Sequence, residues 1–301
     1  MANKRKVMCT STGCIEYAPA RYHAHDIDII RIHVHFKDHE YREGLDLDPV
    51  AFYKELETLE DPKNNLPYTS MPTREEITAL YDKAYEEGYD EVIVIALSSA
   101  LGGTYNLLRL IAEEYKEKIN IIVIDSGITC FGEGLLAIKA AEMIEADVPT
   151  ETILKEIRWM MAHQEFLGVD GKLDYLIYNG RLKGGKALMG KMLSICPVIH
   201  FSREGEIVPL KSVRTQKKAL AETVAVLKEI LGDRDPKDYL LWHIYTGPSL
   251  LAELEEIEAR FGISTNHEAV IMSPVSGAHN GPWLAGYGVC FLRREDEPLE
   301  D

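Results

Sequence analysis

The chain has 301 residues, of which 46% are hydrophobic, and it carries a formal net charge of −16. This length exceeds the size at which a single hydrophobic core usually stops growing, so we expect two domains. An acidic surface repels phosphate backbones, which argues against nucleic acid as a partner.

The sequence contains no clear targeting or metal-binding pattern. No run of about 18 apolar residues predicts a membrane span, and no apolar signal-peptide region follows the basic residues 4–6. The five cysteines form no CxxC pair, and most lie in apolar segments, as reduced core thiols do in the cytosol. We therefore expect a cytoplasmic protein without a metal or cofactor; transient contact with a membrane surface stays open.

The first half of the chain alternates strand and helix patterns. The segment 91–99, EVIVIALSS, is almost continuously apolar, which is typical of a strand covered on both faces in a parallel sheet. Thr73 and Glu76 form a capping box at the start of a helix. We predict strands at 4–11, 27–36, 91–99 and 119–126, and helices at 73–88, 104–118, 133–146 and 150–164. This order predicts right-handed βαβ units.

The second half is more mixed in its patterns. Pro149 and Thr150 interrupt the chain, and we place the domain boundary there, between residues 1–150 and 151–301. The helix at 150–164 is expected to be capped by Thr150 or Glu151. We then predict a helical or looped region at 173–195, strands at 206–213, 239–246, 268–274 and 283–292, and helices at 215–231 and 248–262.

Three predicted parallel strands end in hydroxyl-rich loops, at residues 10–12, 98–99 and 125–126. Ligands of open α/β sheets bind beyond the carboxyl ends of the strands. The helix that begins near Thr104 adds free N–H groups and the positive end of its dipole. We expect one carboxylate or phosphate to bind here, although the same side chains also serve as helix caps. The loop SSALGGTY is not a P-loop, and no GxGxxG motif follows the first strand.

Two segments of the second half add candidate ligand contacts. A glycine-rich stretch at 179–191 contains the cations Arg181, Lys183, Lys186 and Lys191. In so acidic a protein they suggest contact with an anion or an acidic partner, the alternative being a solvated loop. We place His279 in a glycine-rich turn, where it is either structural or a donor to a ligand carboxylate.

Two other chemistries have weaker support. His33 and His35 share one face of a predicted strand, which makes a metal site conceivable, but no nearby carboxylate or cysteine spacing supports it. Ser98 or Ser99 with His279 could form a nucleophile and its base, yet the G-x-S-x-G elbow is absent.

Five short motifs occur in order along the chain: PYTSMPT at 67–73, SSALGGTY at 98–105, NGRL at 179–182, VRTQKKA at 213–219 and HNGP at 279–282. They resemble the motifs P-x-T-S-Q-P-S, S-S-x-L-S-G-T-Y, G-G-R-[IV], V-R-[TG]-x-K-K-A and H-x-G-P-G of the DegV family. Its members are fatty-acid-binding proteins of the type that presents fatty acids to a fatty acid kinase in bacteria. Each motif alone is weak, but five in order over nearly the whole chain are specific.

The resemblance implies an N-terminal three-layer α/β/α domain with a parallel sheet and a C-terminal two-layer α/β domain with a mixed sheet. It also implies a long-chain fatty acid with a buried chain and its carboxylate at the domain junction, and a carrier rather than an enzyme. By this analogy Thr69, Ser99 and His279 contact the carboxylate, while Arg181 and Arg214 lie near the pocket mouth and help present the head group to the kinase. The further ligand contacts implied by these motifs are Ser98, Gly103, Thr104, Asn280 and Gly281.

Three residues depart from the family motifs. Thr10 replaces the Asp of D-S-T, Gly102 replaces the Ser before Gly-Thr-Tyr, and Trp283 replaces the Gly after Gly-Pro. We expect the indole of Trp283 to lie beside His279 and to narrow the pocket. One alternative is therefore a diverged binder of another amphipathic carboxylate. Another is an enzyme that uses Ser99 or Thr69 with His279 for acyl or phosphoryl transfer, weakly supported by the similar fold of dihydroxyacetone kinase substrate domains.

Overall fold

The computed structural model describes residues 3–185, 195–263, 267–294 and 297. Its strands are β1 (Arg5–Thr10), β2 (Ile27–Ile30), β3 (His33–Phe36), β4 (His39–Arg42), β5 (Tyr68–Ser70), β6 (Glu91–Ala96), β7 (Asn120–Asp125), β8 (Gln164–Asp170), β9 (Cys196–Phe201), β10 (Ile207–Val213), β11 (Tyr239–Tyr245), β12 (Glu268–Ile271) and β13 (Leu284–Phe291). Its α-helices are α1 (Pro49–Glu57), α2 (Pro62–Asn65), α3 (Arg74–Glu86), α4 (Thr104–Ala112), α5 (Phe131–Glu145), α6 (Thr150–Ala162), α7 (Asp174–Tyr178), α8 (Gln216–Leu231), α9 (Pro248–Arg260) and α10 (Pro274–Asn280). Lys186 and Lys191 of the predicted cationic segment lie outside the described residues.

The first sheet is parallel throughout, with the strand order β2-β1-β6-β7. All six residues of β6 are buried, as its continuous apolar pattern predicts. Met8 and Val94 belong to a core cluster with α3 and α4, while Cys9 and Ile95, which alternate with them, belong to another cluster with α5. Helices therefore cover both faces, and the predicted three-layer arrangement is confirmed.

The second sheet is mixed, with the order β10-β9-β8-β13-β11-β12. Only β11 and β12 pair in parallel within it; the other neighbours are antiparallel. Val169 and Tyr287 pack with α8 and α9 on one face. Ile199 and Ile244 on the other face share a core with α5 and α6. The predicted mixed sheet is confirmed; α8 and α9 cover one face, and the other face is buried against α5 and α6.

A third, antiparallel sheet has the order β4-β3-β5. The prediction of one strand over 27–36 is wrong, because β2 pairs with β1 in the parallel sheet whereas β3 pairs with β4 and β5. Between them, the Ile32 N–H donates to Ser11 Oγ at 3.1 Å. Apolar and polar residues alternate in both strands, so the pattern does not reveal the change of sheet. The register sets Thr69 of β5 opposite Val34 of β3.

Local signals predict some helix starts correctly and others not. The capping box of Thr73 and Glu76 is present at the start of α3. By contrast, α6 has no side-chain cap, because the Thr150 hydroxyl donates to Glu91 instead. The prediction missed β8 and β9 at the centre of the mixed sheet. All strands of the first sheet precede residue 150, and all strands of the mixed sheet follow it. The division of the chain into two domains at residue 150 stays a prediction.

Among the described residues, no helix combines the length and the apolar character that crossing a bilayer requires.

Candidate ligand-binding site

A pocket opens where the loops after β1, β6 and β7 meet β5 and α10. The cavity has a volume of about 100 Å³ and is partly open to solvent. The lining residues are Thr12, Ile32, Thr69, Ser70, Met71, Leu97, Leu101, Gly102, Gly103, Thr104, Thr129, Arg181, Ile207, Val275, Ser276, His279 and Asn280. The convergence of the strand ends predicted from the hydroxyl-rich loops is thus found at this pocket.

Thr69 and His279 form a hydrogen-bonded pair in the pocket, although they are 210 residues apart in sequence. The distance from Thr69 Oγ1 to His279 Nε2 is 2.8 Å. The prediction of a glycine-rich turn around His279 is wrong, because this residue lies in the last turn of α10. Ser273 caps that helix by accepting from the Ser276 N–H, and Gly281 ends it with a φ of 77°, which glycine adopts without strain.

His279 is neutral at neutral pH. Burial, with a smaller contribution from the Arg181 guanidinium, lowers the pKa of His279 to about 3. A neutral imidazole carries one proton. If Nε2 carries it, Nε2 donates to Thr69 and the threonine hydroxyl proton is free; if Nδ1 carries it, Nδ1 has no partner among the described residues. Either tautomer leaves one proton of the pair available to an acceptor.

Arg181 supplies the positive charge of the pocket. Its Nε donates to the Leu101 carbonyl and its Nη1 to the Asn179 carbonyl, both at 2.7 Å. Burial lowers the pKa of the guanidinium, which still remains charged at neutral pH. No carboxylate of the described residues pairs with it. Carbonyls hold the guanidinium in place without neutralising it, and an anionic ligand would complete the pairing.

The loop after β6 divides into a structural part and a part that lines the pocket. Gly103 and Thr104 line the pocket. Ser98 and Ser99 are not among the lining residues. The Ser98 hydroxyl donates to the Gly205 carbonyl at 2.8 Å, and the Ser99 backbone N–H donates to the Asp125 carboxylate at 3.0 Å. The Ser98 hydroxyl therefore holds the loop on neighbouring backbone.

Three other predicted contacts lie apart from the pocket lining. Arg214 is exposed, just after β10, and Gly281 lies beyond the end of α10. Lys183 of the cationic segment pairs with Glu206 on the surface. The structure thus brings together Thr69, Gly103, Thr104, Arg181, His279 and Asn280 from the predicted set.

The three departures from the family motifs have different consequences. Thr10 and Thr12 donate to the buried Glu133 of α5, so α5 supplies a carboxyl group beside Thr10; burial raises the pKa of Glu133 well above its usual range. Gly102 lines the pocket, and a Cβ there would meet no atom of the described residues within 4 Å. Trp283 packs edge-on against Tyr175 and under Lys172. The prediction that Trp283 narrows the pocket is wrong, because the indole is absent from the lining.

Sequence reasoning missed Thr129 and Ser276, which also line the pocket. Thr129 lies in the loop after β7, where hydroxyls were expected, but three residues past the segment considered. Ser276 precedes His279 by three residues, a spacing that puts both side chains on one helix face. Because the sequence predicts a turn around His279, it gives no reason to expect Ser276 and His279 on the same face of a helix.

The geometry gives little support to a metal site at His33 or to a serine nucleophile with His279 as its base. His33 does have carboxylates beside it, from Glu40 and Glu76, but no group of three potential ligands in the described part of the chain could hold a metal ion. His279 pairs with Thr69 and not with a serine. Within the described part of the chain, its Nδ1 lacks the carboxylate partner that orients the base of a catalytic triad.

Comparison with known proteins supports the family resemblance that the five motifs indicate. The sequence model of the uncharacterised DegV family matches residues 4–292. The chain belongs to the DegV family. A DegV domain-containing protein of Listeria monocytogenes is 33% identical over 263 residues, which are 86% of this chain and 89% of that protein. Protein DegV of Bacillus subtilis is 31% identical over 268 residues, 89% of this chain and 92% of its own length.

Solved DegV structures share the fold over almost the whole chain. A fatty acid binding DegV family protein from Streptococcus agalactiae superposes with a TM-score of 0.85 at 26% identity, covering 97% of this chain and 100% of that one. DegV of Bacillus subtilis, described as a fatty acid binding protein, gives 0.81 at 30% identity, with coverages of 96% and 99%. A stearic acid binding protein from Eubacterium ventriosum gives 0.80 at 26% identity, with coverages of 95% and 98%.

Proposed function

We propose that this protein binds a long-chain fatty acid, holds its carboxylate at Thr69, His279 and Arg181, and presents the head group to a fatty acid kinase. One observation carries the proposal: a hydroxyl–imidazole pair with a proton to donate lines the same pocket as a guanidinium that no carboxylate of the described residues neutralises. The fatty acids bound by solved DegV relatives support the acyl chain.

The apolar part of the lining suits a hydrocarbon chain. Its side chains are Ile32, Met71, Leu97, Leu101, Ile207 and Val275. Each methylene removed from water contributes about 0.8 kcal/mol, so the chain would supply most of the affinity. The polar groups at Thr69, His279 and Arg181 would fix which end of the ligand lies near the surface.

The chemistry of His279 favours a carrier over a catalyst. A general base works best when its pKa lies near the working pH, whereas burial lowers the pKa of His279 to about 3. An imidazole so difficult to protonate is a poor acceptor for the proton of Thr69. It remains a good hydrogen-bond partner for a carboxylate, which needs no proton transfer.

The binding proposal is tested by organic extraction of the purified protein, lipid mass spectrometry and calorimetric titration with palmitic acid. We expect a stoichiometric fatty acid in the wild type and its loss in His279→Ala. His39→Ala removes an exposed imidazole outside the pocket and serves as the matched control. If the wild type yields no acyl ligand and takes up no palmitate, the protein is not a fatty acid carrier.

The presentation proposal needs a separate assay with a bacterial fatty acid kinase and ATP. The kinase would transfer the γ-phosphate to a carboxylate oxygen of the bound fatty acid, releasing ADP. Arg214 is exposed and has no ion pair among the described residues, so we expect Arg214→Glu to lower ADP release while leaving the palmitate Kd unchanged. ADP release that does not depend on this protein would refute the presentation role.

A further inference from the structure

The pocket has more hydrogen-bonding side chains than a carboxylate and a hydrocarbon chain require. Besides Thr69, His279 and Arg181, its lining includes Thr129 and Ser276, each 6% exposed, and Asn280, which is 5% exposed. A methylene chain has no partner to give them. Polar groups buried against a plain hydrocarbon lose hydrogen bonds to water without replacement, which is unfavourable.

The hydroxyls of Thr129 and Ser276 are incompletely satisfied by the protein. Their oxygens are 3.3 Å apart, longer than the usual 2.7–2.8 Å between hydroxyl oxygens. Within the described residues, neither hydroxyl has another hydrogen-bond partner. One proton can serve the contact between them, so the second hydroxyl proton is left for a different acceptor.

Asn280 adds an acceptor to these two hydroxyls. Its Nδ2 donates to the Ser276 carbonyl at 2.8 Å, with a longer contact to Met272 Sδ at 3.6 Å. The amide orientation is therefore set by the helix backbone. No donor of the described residues bonds to the Asn280 Oδ1, which leaves this oxygen available to a ligand in the pocket that Asn280 lines together with Thr129 and Ser276.

The location of these groups relates them to the head of the ligand. Ser276 and His279 are three residues apart on α10, a spacing that puts their Cβ atoms about 5–6 Å from each other. The hydroxyl pair thus lies one helical turn from the imidazole proposed to bind the carboxylate. A ligand group that reaches it must lie close to the carboxyl end of the acyl chain.

We propose that Thr129, Ser276 and Asn280 form a second polar subsite that recognises a hydroxyl group near the carboxyl end of the acyl chain. The preferred ligand is then a 2- or 3-hydroxy fatty acid. A hydroxyl fits these groups because it accepts the spare threonine or serine proton and donates to Asn280 Oδ1, whereas a ketone only accepts. The inference rests on the proposed function, since it takes the carboxylate to lie at His279.

Calorimetric titration with palmitic, 2-hydroxypalmitic, 3-hydroxypalmitic and 16-hydroxypalmitic acids tests the subsite. We expect the 2- or 3-hydroxy acid to bind the wild type at least tenfold more tightly than palmitate, and the 16-hydroxy acid to show no such preference. In Thr129→Val/Ser276→Ala the preference should fall to within twofold. Thr223→Val, which removes a fully buried hydroxyl of α8 remote from the pocket, should keep the wild-type preference.

The outcomes separate this inference from the proposed function. If palmitate binds and both the 2- and 3-hydroxy acids bind equally or more weakly, the subsite is refuted and the fatty acid carrier stands. If none of the four acids binds, both proposals fail. The wild-type comparison decides the question even if the double variant does not fold.

Discussion

Replacing Thr69 by valine removes one hydroxyl from the proposed carboxylate site with almost no change in side-chain volume. In the free protein this leaves both nitrogens of the His279 ring without a partner among the residues that the structure describes, since Nδ1 already has none there. A buried polar group deprived of its partner costs about 1–3 kcal/mol of folding stability. In the complex, the lost hydrogen bond to a charged carboxylate is worth about 1.5–3 kcal/mol, which raises the palmitate Kd about 10- to 150-fold.

Calorimetric titration with palmitate and urea unfolding of the same preparations measure the two effects. Thr69→Ser retains the hydroxyl and should recover most of the affinity. Ser98→Ala is the control, because the Ser98 hydroxyl bonds to backbone outside the pocket lining; we expect it to lower stability while the Kd stays within twofold of the wild type. The reasoning is refuted if Thr69→Val binds palmitate as tightly as the wild type.

Three further expectations follow from the same structure. Because His279 has a pKa of about 3, palmitate affinity should be constant between pH 6 and 9; a tenfold loss per pH unit would mean that a protonated His279 binds the carboxylate. Burial raises the pKa of the fully buried Glu43 to about 7 from 4.5. The contribution of protonated Glu43 to the free energy of unfolding is therefore fully present below pH 4.5, and it is lost as the pH rises through about 7. Glu43→Gln should therefore be more stable than the wild type by about 3 kcal/mol at pH 8.5, but not at pH 4.5, in urea unfolding; an equal effect at both pH values would contradict this. Trp283→Ala should lose about 1–3 kcal/mol of stability because its indole packs on Tyr175, yet keep the palmitate Kd of the wild type; a change above fivefold would show that the indole reaches the ligand.

The sequence predicts the fold correctly wherever a local pattern is compatible with only one structural arrangement. The continuous apolar run of β6 predicts a strand covered on both faces, and the structure buries all its residues. The capping box of Thr73 fixes the start of α3 in the same direct way. Where one pattern fits two arrangements, the prediction failed: alternation over 27–36 is the same whether the chain stays in one sheet or passes from β2 to β3.

The candidate site shows the same division. The motifs indicated Thr69 and His279, but their hydrogen bond depends on the packing of β5 against α10. They also indicated Ser98, whose hydroxyl turns to the Gly205 carbonyl. The motif positions could not reveal Thr129 as a partner of Ser276, because these residues are 147 positions apart in the chain.

The sequence by itself determined the family, the order of most strands and helices, and the residue types at the pocket. These depend on local backbone preference, on burial patterns and on motifs that can be read along the chain. Only the tertiary structure decided which side chains face the pocket, that Trp283 packs away from it, and that Glu133 supplies a carboxyl group beside Thr10. The direction of a side chain is set by contacts with residues remote in sequence, and the polarity of a pocket follows from those directions.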